Sequence, residues 1–335
     1  MDEGSLKMKV CVVGAGAIGG WIGARLSASG AAEVSAVARG ATLRSLQTHG
    51  WRLQTADDLV SSPVHAAADA DELGEQDLVI IAVKAPALAS VAELLPPLLG
   101  PATVVLPFMN GVPWWFGHGT KLGQDPLRSV DPHGIVAAAV DVDRVLGGVV
   151  HASCTVPEPG LVRHVMGNGL IVGEPLGGVS ARAEEVGGVL AAAGFNATVS
   201  TDVRYDIWYK LWGNMTMNPI SALTGATADR VLADPLVREF CSAAMREASE
   251  IGQQLGCDIS ETPEDRHRVT AKLGAFKTSM LQDVEAGRAV ELDALVGAVR
   301  EIGERLGMPT PNIDALMGLS RLAARMRGLY PPEAS

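Results

Sequence analysis

Apolar residues recur along this chain in two rhythms, and the change from one to the other falls near Thr201. In the first part, short β-branched runs alternate with stretches of helical spacing. Lys9–Val13 is such a run; it ends in Gly14, and Ile18–Ser29 then reads as a helix closed by Gly30. Glu33–Ala38 predicts a second strand, Leu78–Val83 a buried apolar strand, Leu88–Leu99 a helix and Thr103–Leu106 a further strand. Alternation of this kind implies a parallel sheet with right-handed crossovers. From about Ile135 to Gly173 the texture changes. Runs such as Gly148–Ala152 and Gly160–His164, punctuated by Pro157, Pro159 and glycines, predict an antiparallel extension of the sheet. A helix at Ala181–Ala193 and a strand at Asn196–Ser200 close this half.

After Asp202 strand signals almost vanish. Trp208–Met217, Pro235–Leu255, Glu264–Glu285 and Glu291–Leu306 all carry helical apolar spacing. The chain thus divides into an α/β half and an all-helical half. Its 335 residues are too many for one typical core, which agrees with two domains, 1–200 and 201–335. The leader Met1–Lys9 is polar and lacks the apolar centre of a signal peptide, and the tail Pro331–Ser335 is expected to fray.

The junction after the first strand carries chemistry. Gly14-Ala15-Gly16-Ala17-Ile18-Gly19 fits GxGxxG, with a strand before it and a helix after it. The first glycine permits a tight turn, the second lets the backbone approach a pyrophosphate, and the third lets helix pack on strand. The N–H groups at the helix start, through Ala17 and Ile18, then meet the phosphate charge. This makes the first half a Rossmann dinucleotide-binding domain. A site for NAD would usually end the second strand with an acidic residue; here Ala36-Val37-Ala38-Arg39-Gly40 places a guanidinium instead, which suits a 2′-phosphate. The expected cofactor is NADPH.

In the second half, Lys210, Asn214 and Asn218 recur at i, i+4 and i+8 and share one helix face. Trp208, Leu211, Trp212, Met215 and Met217 surround them, so the helix is largely apolar and its polar groups need partners. Asn218-Pro219 is expected to end or kink the helix and so leave Asn218 near a terminus. A polar stripe facing solvent or another helix explains the spacing equally well. Beside a nicotinamide, however, an ammonium has a use, because it protonates the alkoxide that hydride addition makes from a carbonyl.

Composition narrows the field. Apolar residues make up 47% and charged residues 19%, as in ordinary soluble enzymes. The net charge of −11 disfavours a nucleic-acid partner and adsorption to an anionic membrane. No apolar run is long enough to span a bilayer. Cys11, Cys154, Cys241 and Cys257 are not spaced as a metal clip, the seven histidines are scattered, and so few cysteines suit a reducing compartment. No metal is expected, and cytoplasmic residence follows by default. A homodimer is allowed, since the apolar helices serve a dimer surface as well as a core.

The landmarks resemble the ketopantoate reductase family (2-dehydropantoate 2-reductases) through nearly the whole chain. They are Gly14–Gly20, Ala82-Val83-Lys84-Ala85, Asn110-Gly111, Lys210-Leu211-Trp212-Gly213-Asn214 with Asn218-Pro219, and Thr278–Asp283, continuing into Gly287-Arg288 and Glu291–Leu295. The resemblance implies a Rossmann domain, a helical C-terminal domain, an active site in the cleft between them, and NADPH reduction of a 2-oxo acid. It makes Lys210 the general acid, Asn214, Asn218 and Ser279 hydrogen-bonding partners of the substrate, and Glu291 the holder of its hydroxyl group. Lys84 and Asn110 would sit near the nicotinamide ribose and substrate. By themselves Asn110-Gly111 is a turn signal, Ser279 a helix serine and Glu291 a favourable charge at a helix start.

One departure bears on the substrate. Phe108-Met109-Asn110 replaces the glutamine that often precedes the asparagine, and Trp114-Trp115-Phe116 follows. These aromatics are either loop anchors or the lining of a pocket for a larger, more apolar 2-oxo acid. An opine-type or hydroxyacid dehydrogenase of the same plan, and a non-catalytic NADPH-sensing protein, stay open as alternatives. The first calls for a histidine beside the nicotinamide, the second for cofactor binding without turnover.

Overall fold

The computed structural model describes residues 7–332. The expected polar leader up to Leu6 and the last three residues of the expected frayed tail lie outside them. Two compact units form: residues up to Met109 together with Gly134–Asp206, and Asn110–His133 together with Ile207 onward. The segment 110–133 therefore packs with the helices, although it lies before residue 200.

The first unit opens with β1 (Lys9–Val13), α1 (Ala17–Ser29), β2 (Glu33–Val37) and α2 (Gly40–His49). Three short strands follow, β3 (Trp51–Gln54), β4 (Leu59–Ser62) and β5 (His65–Ala67), then β6 (Gln76–Ile81), α3 (Leu88–Ala92) and β7 (Leu99–Pro107). Strands β5-β2-β1-β6-β7 form one parallel sheet. Its central strands read as near-continuous apolar runs because both faces are covered. Val10, Val12, Leu78 and Ile80 have no exposed surface. The strand order reverses between β1 and β6, and ligands of such sheets bind beyond the carboxyl ends of strands at that switch point.

The unit continues with α4 (Ile135–Ala139), β8 (Gly147–Glu158), β9 (Leu161–Gly173), α5 (Ala181–Ala192) and β10 (Asn196–Ser200). Here the structure corrects the expected antiparallel extension. β8 and β9 pair antiparallel, but β9 also pairs parallel with β3 and β10, making a second, mixed sheet. α1 packs on it through glycines: a Cβ at Gly23 would lie 2.5 Å from the Trp51 ring, and one at Gly20 would lie 2.6 Å from Val162. The β3 and β4 strands went unpredicted because four-residue segments show too little alternation to read.

Two boundaries also differ. The helix expected over Leu88–Leu99 stops at Ala92 and gives way to a 3-10 turn at Pro96–Leu98. Leu95 keeps helical dihedrals, but Pro96 and Pro97 have no N–H to donate to the carbonyls four residues back, so the α-helical ladder cannot run through them. The strand expected at Leu78–Val83 is shifted to Gln76–Ile81, which puts Lys84 three residues past its end.

The second unit is helical: α6 (Val203–Thr224, whose first residues belong to the first unit), α7 (Ala228–Ala233), α8 (Pro235–Gln254), α9 (Pro263–Ala271), α10 (Ser279–Glu285), α11 (Ala298–Arg305) and α12 (Pro311–Met326). The expected Glu264–Glu285 helix is two helices. Gly274 takes φ +62 between them, and Thr278 restarts the chain by capping α10 through the Leu281 N–H at 3.2 Å. Asn218-Pro219 does not end α6. The helix runs through Pro219 to Thr224, so Asn218 lies in its interior and not near a terminus. Just before α11, residues Asp293–Gly297 form a π-turn.

No helix among the described residues is long and apolar enough to cross a membrane.

Candidate active site

The loop after β1 has the shape its glycines predict. Gly14 takes φ +99, and a Cβ there would fall 2.6 Å from Val83 and 2.9 Å from the Ala82 carbonyl, where the end of β6 presses against it. At Gly19 a Cβ would lie 2.1 Å from the Gly14 carbonyl, so only glycine lets α1 approach the strand this closely. Gly16 is different. A Cβ there meets nothing within 4 Å, so the space above this backbone is open.

No side chain caps α1, and its first turn holds no acidic residue. The first N–H to close on the helix is that of Gly20, which donates to the Gly16 carbonyl at 2.8 Å. The N–H groups of Ala17, Ile18 and Gly19 have no partner within the helix. Open space over Gly16 and uncapped donors beside it fit a pyrophosphate, whose charge the helix start favours. Arg39 follows β2 and precedes α2, exposed, with no carboxylate at the strand end. Lys84 is half-buried at the start of a 3-10 turn, its carbonyl accepting the Ala87 N–H at 2.9 Å.

In the helical unit, α6 is oriented by two indoles on one side. Trp208 and Trp212 donate through Nε1 to the Ala248 and Met245 carbonyls of α8, at 3.2 and 2.7 Å. Helical spacing sets that face about half a turn away from Lys210 and Asn214. The Lys210 ammonium donates to Oδ1 of Asn110 at 3.0 Å. Burial pushes the ammonium down to about 8, against the opposing pull of the Glu291 carboxylate. Three of the expected site residues, Lys210, Asn110 and Glu291, are thus brought together although they come from separate segments.

Asn214 is half-buried and Asn218 is 5% exposed, both on the Lys210 side of α6. Ser279 stands exposed at the first position of α10 and makes no hydrogen bond to Lys210 or Asn110. Trp114, Trp115 and Phe116 are buried, and Phe116 stacks on Trp208 with ring centres 5.6 Å apart.

Sequence reading takes Gly111 and Ala294 only as family landmarks and gives Val112 no role, yet these residues seat Asn110. Gly111 takes φ +85 and Val112 donates its N–H to the Ala294 carbonyl at 2.9 Å. The glycine after Asn110 was the available signal, and it reads only as a turn. A π-turn has no residue pattern to announce it.

Residues 10–177 match the family described as "Ketopantoate reductase PanE/ApbA", and residues 202–324 match "Ketopantoate reductase PanE/ApbA C terminal". A protein of Mesorhizobium japonicum named 2-dehydropantoate 2-reductase is 44% identical over 325 residues, covering 96% of this chain and all of that protein. A crystal structure from Ralstonia solanacearum MolK2, provisionally assigned as a ketopantoate reductase, is 53% identical with a TM-score of 0.92, covering 97% of this chain and all of that one. The crystal structure of 2-dehydropantoate 2-reductase from Geobacter metallireducens GS-15 is 26% identical with a TM-score of 0.83, covering 94% of this chain and all of that one.

Proposed function

The chain belongs to the ketopantoate reductase family of nicotinamide-dependent oxidoreductases, and from that premise we propose that it reduces 2-dehydropantoate (ketopantoate) to pantoate with NADPH, Lys210 acting as the general acid. One observation carries the reading: the Lys210 ammonium is held by Asn110 at 3.0 Å in surroundings that push it down to about 8. A general acid works best with a pKa near the operating pH, and an ordinary lysine holds its proton too tightly.

When bound, the reduced cofactor supplies a hydride equivalent to the 2-oxo carbon. Lys210 delivers a proton from Nζ to the oxygen that becomes the hydroxyl. Asn110 aims the ammonium by accepting one of its three hydrogens, and Glu291 keeps it charged between turnovers and accepts from the substrate hydroxyl. Asn214, Asn218 and Ser279 offer donors and acceptors to the carboxylate and hydroxyl groups of the substrate. The first-turn N–H groups at Ala17, Ile18 and Gly19, with Gly14 and Gly16 keeping the backbone bare, hold the pyrophosphate. Arg39 pairs with the 2′-phosphate, and Lys84 serves the ribose.

Burial of Trp114, Trp115 and Phe116 supports the compact substrate, since side chains packed inside the helical unit do not widen a pocket. The test is a panel of 2-oxo acids assayed separately with NADPH and NADH. Turnover confined to another 2-oxo acid, or equal use of NADH, would overturn the corresponding part of the reading.

A further inference from the structure

The π-turn Asp293–Gly297 does something an ordinary helical turn could not. In an α-helix the Ala294 carbonyl would accept from Ala298; here the Ala298 N–H goes to Asp293 instead. The Ala294 carbonyl takes the Val112 N–H at 2.9 Å in its place. The docking is close. A Cβ on Gly111 would lie 2.3 Å from the Ala294 oxygen and 2.5 Å from its carbonyl carbon, and Gly111 also takes φ +85. Its neighbour Asn110 is the acceptor for Lys210, and Glu291 lies three residues before Ala294.

Both ends of this arrangement are tied. Tyr330 donates its hydroxyl to Asp293 Oδ1 at 2.7 Å, and Val290 donates its N–H to the Leu329 carbonyl at 3.1 Å. Further along, Glu301 of α11 accepts the N–H groups of Arg128 and Ser129 at 2.9 and 2.8 Å and the Ser129 hydroxyl at 2.7 Å. The 110–133 segment is therefore pinned to one helix at two places.

We propose that the π-turn and Gly111 form a positioning device that sets Asn110 and Glu291 about Lys210, with Ala294 offering the carbonyl on which the device turns. The inference rests on the reading of Lys210 as proton donor, and it adds residues that touch neither substrate nor cofactor. Glu291 is the charged group that acts on Lys210 among the described residues. The π-turn itself is faced by Tyr330, Arg321 and Arg325 around Asp293.

The test is the G111A variant, read by acetic anhydride labelling of Lys210 across pH with peptide mass spectrometry. Labelling needs the neutral amine, so its midpoint reports the ammonium directly and without turnover. Displacing Asn110 removes an acceptor from the charged form, and the expected midpoint falls by about half to one pH unit, the size of one hydrogen bond. The accompanying loss in kcat is about 10- to 100-fold, as for a misplacement on the order of an ångström, with KM for NADPH unchanged. An unchanged midpoint in folded G111A overturns the positioning role, whatever its turnover. Should G111A fail to fold, Y330F carries the same measurement with the same two outcomes. Full turnover by K210A would overturn the acid role and leave the labelling result standing.

Discussion

Lys210 donates from Nζ to Oδ1 of Asn110 at 3.0 Å, across 100 positions of sequence. An ammonium in a desolvated setting depends on such an acceptor, because burial disfavours its charge. The geometry makes the pair a single chemical unit, and each partner has its own expected phenotype.

Replacing Lys210 by Ala removes the proposed proton donor. The expected loss in kcat is about 10²- to 10⁴-fold, the range of general acid catalysis. K210R should not restore it, since a guanidinium does not release its proton near neutral pH. Steady-state assays, with NADPH affinity measured separately by fluorescence titration, check both statements. NADPH affinity is expected to stay near that of the unaltered enzyme.

The pH profile follows from the same group. Its protonated form is the active one, so kcat/KM should be steady on the acid side of about 8 and fall as pH rises through that value. N110A and E291Q each withdraw support from the charged form. Both should move the alkaline limb to lower pH, and a limb that moved upward in either variant would refute the assignment.

The glycine loop separates folding from binding. Gly16 has open space where a Cβ would be, so G16A should leave thermal stability within about 0.5 kcal/mol while weakening NADPH binding. At Gly19 a Cβ would sit 2.1 Å from the Gly14 carbonyl, so G19A is expected to lose about 1–3 kcal/mol of stability as well. Thermal melts with and without NADPH distinguish the two.

Arg39 is the residue on which cofactor choice is expected to turn. R39A should raise KM for NADPH by about tenfold, the lower end for a hydrogen bond to a charged group, because the side chain is exposed. KM for NADH should change little. Equal losses with both cofactors would show that Arg39 does not read the 2′-phosphate.

The elements that could be read from the chain are those made by local rules. β1, α1, β2 and the glycine turn joining them depend on spacing, on β-branched runs and on where a side chain is forbidden, and the structure places them within a residue or so of expectation. The same holds for α8, whose apolar stripe and Asp234 cap are written in consecutive residues. Where tertiary packing outweighed a local preference, the reading failed. Pro219 does not end α6, and the helix continues past it with buried neighbours on both sides, Asn218 and Ile220. β8 and β9 read as strands, but nothing in them says that β9 will also pair with β3 and so close a second sheet.

The candidate site divides in the same way. That Lys210, Asn214 and Asn218 share a helix face was determined by their spacing alone, because helical geometry leaves no other arrangement. That Asn110 accepts from Lys210, and that Glu291 acts on the same ammonium, was decided only in three dimensions. These contacts join segments far apart in the chain, and no periodicity reaches across such a gap. The π-turn is the clearest case: residues 293–297 carry ordinary helical spacing, and it is the Val112 N–H at Ala294, supplied by a distant segment, that accompanies a different hydrogen-bond register there.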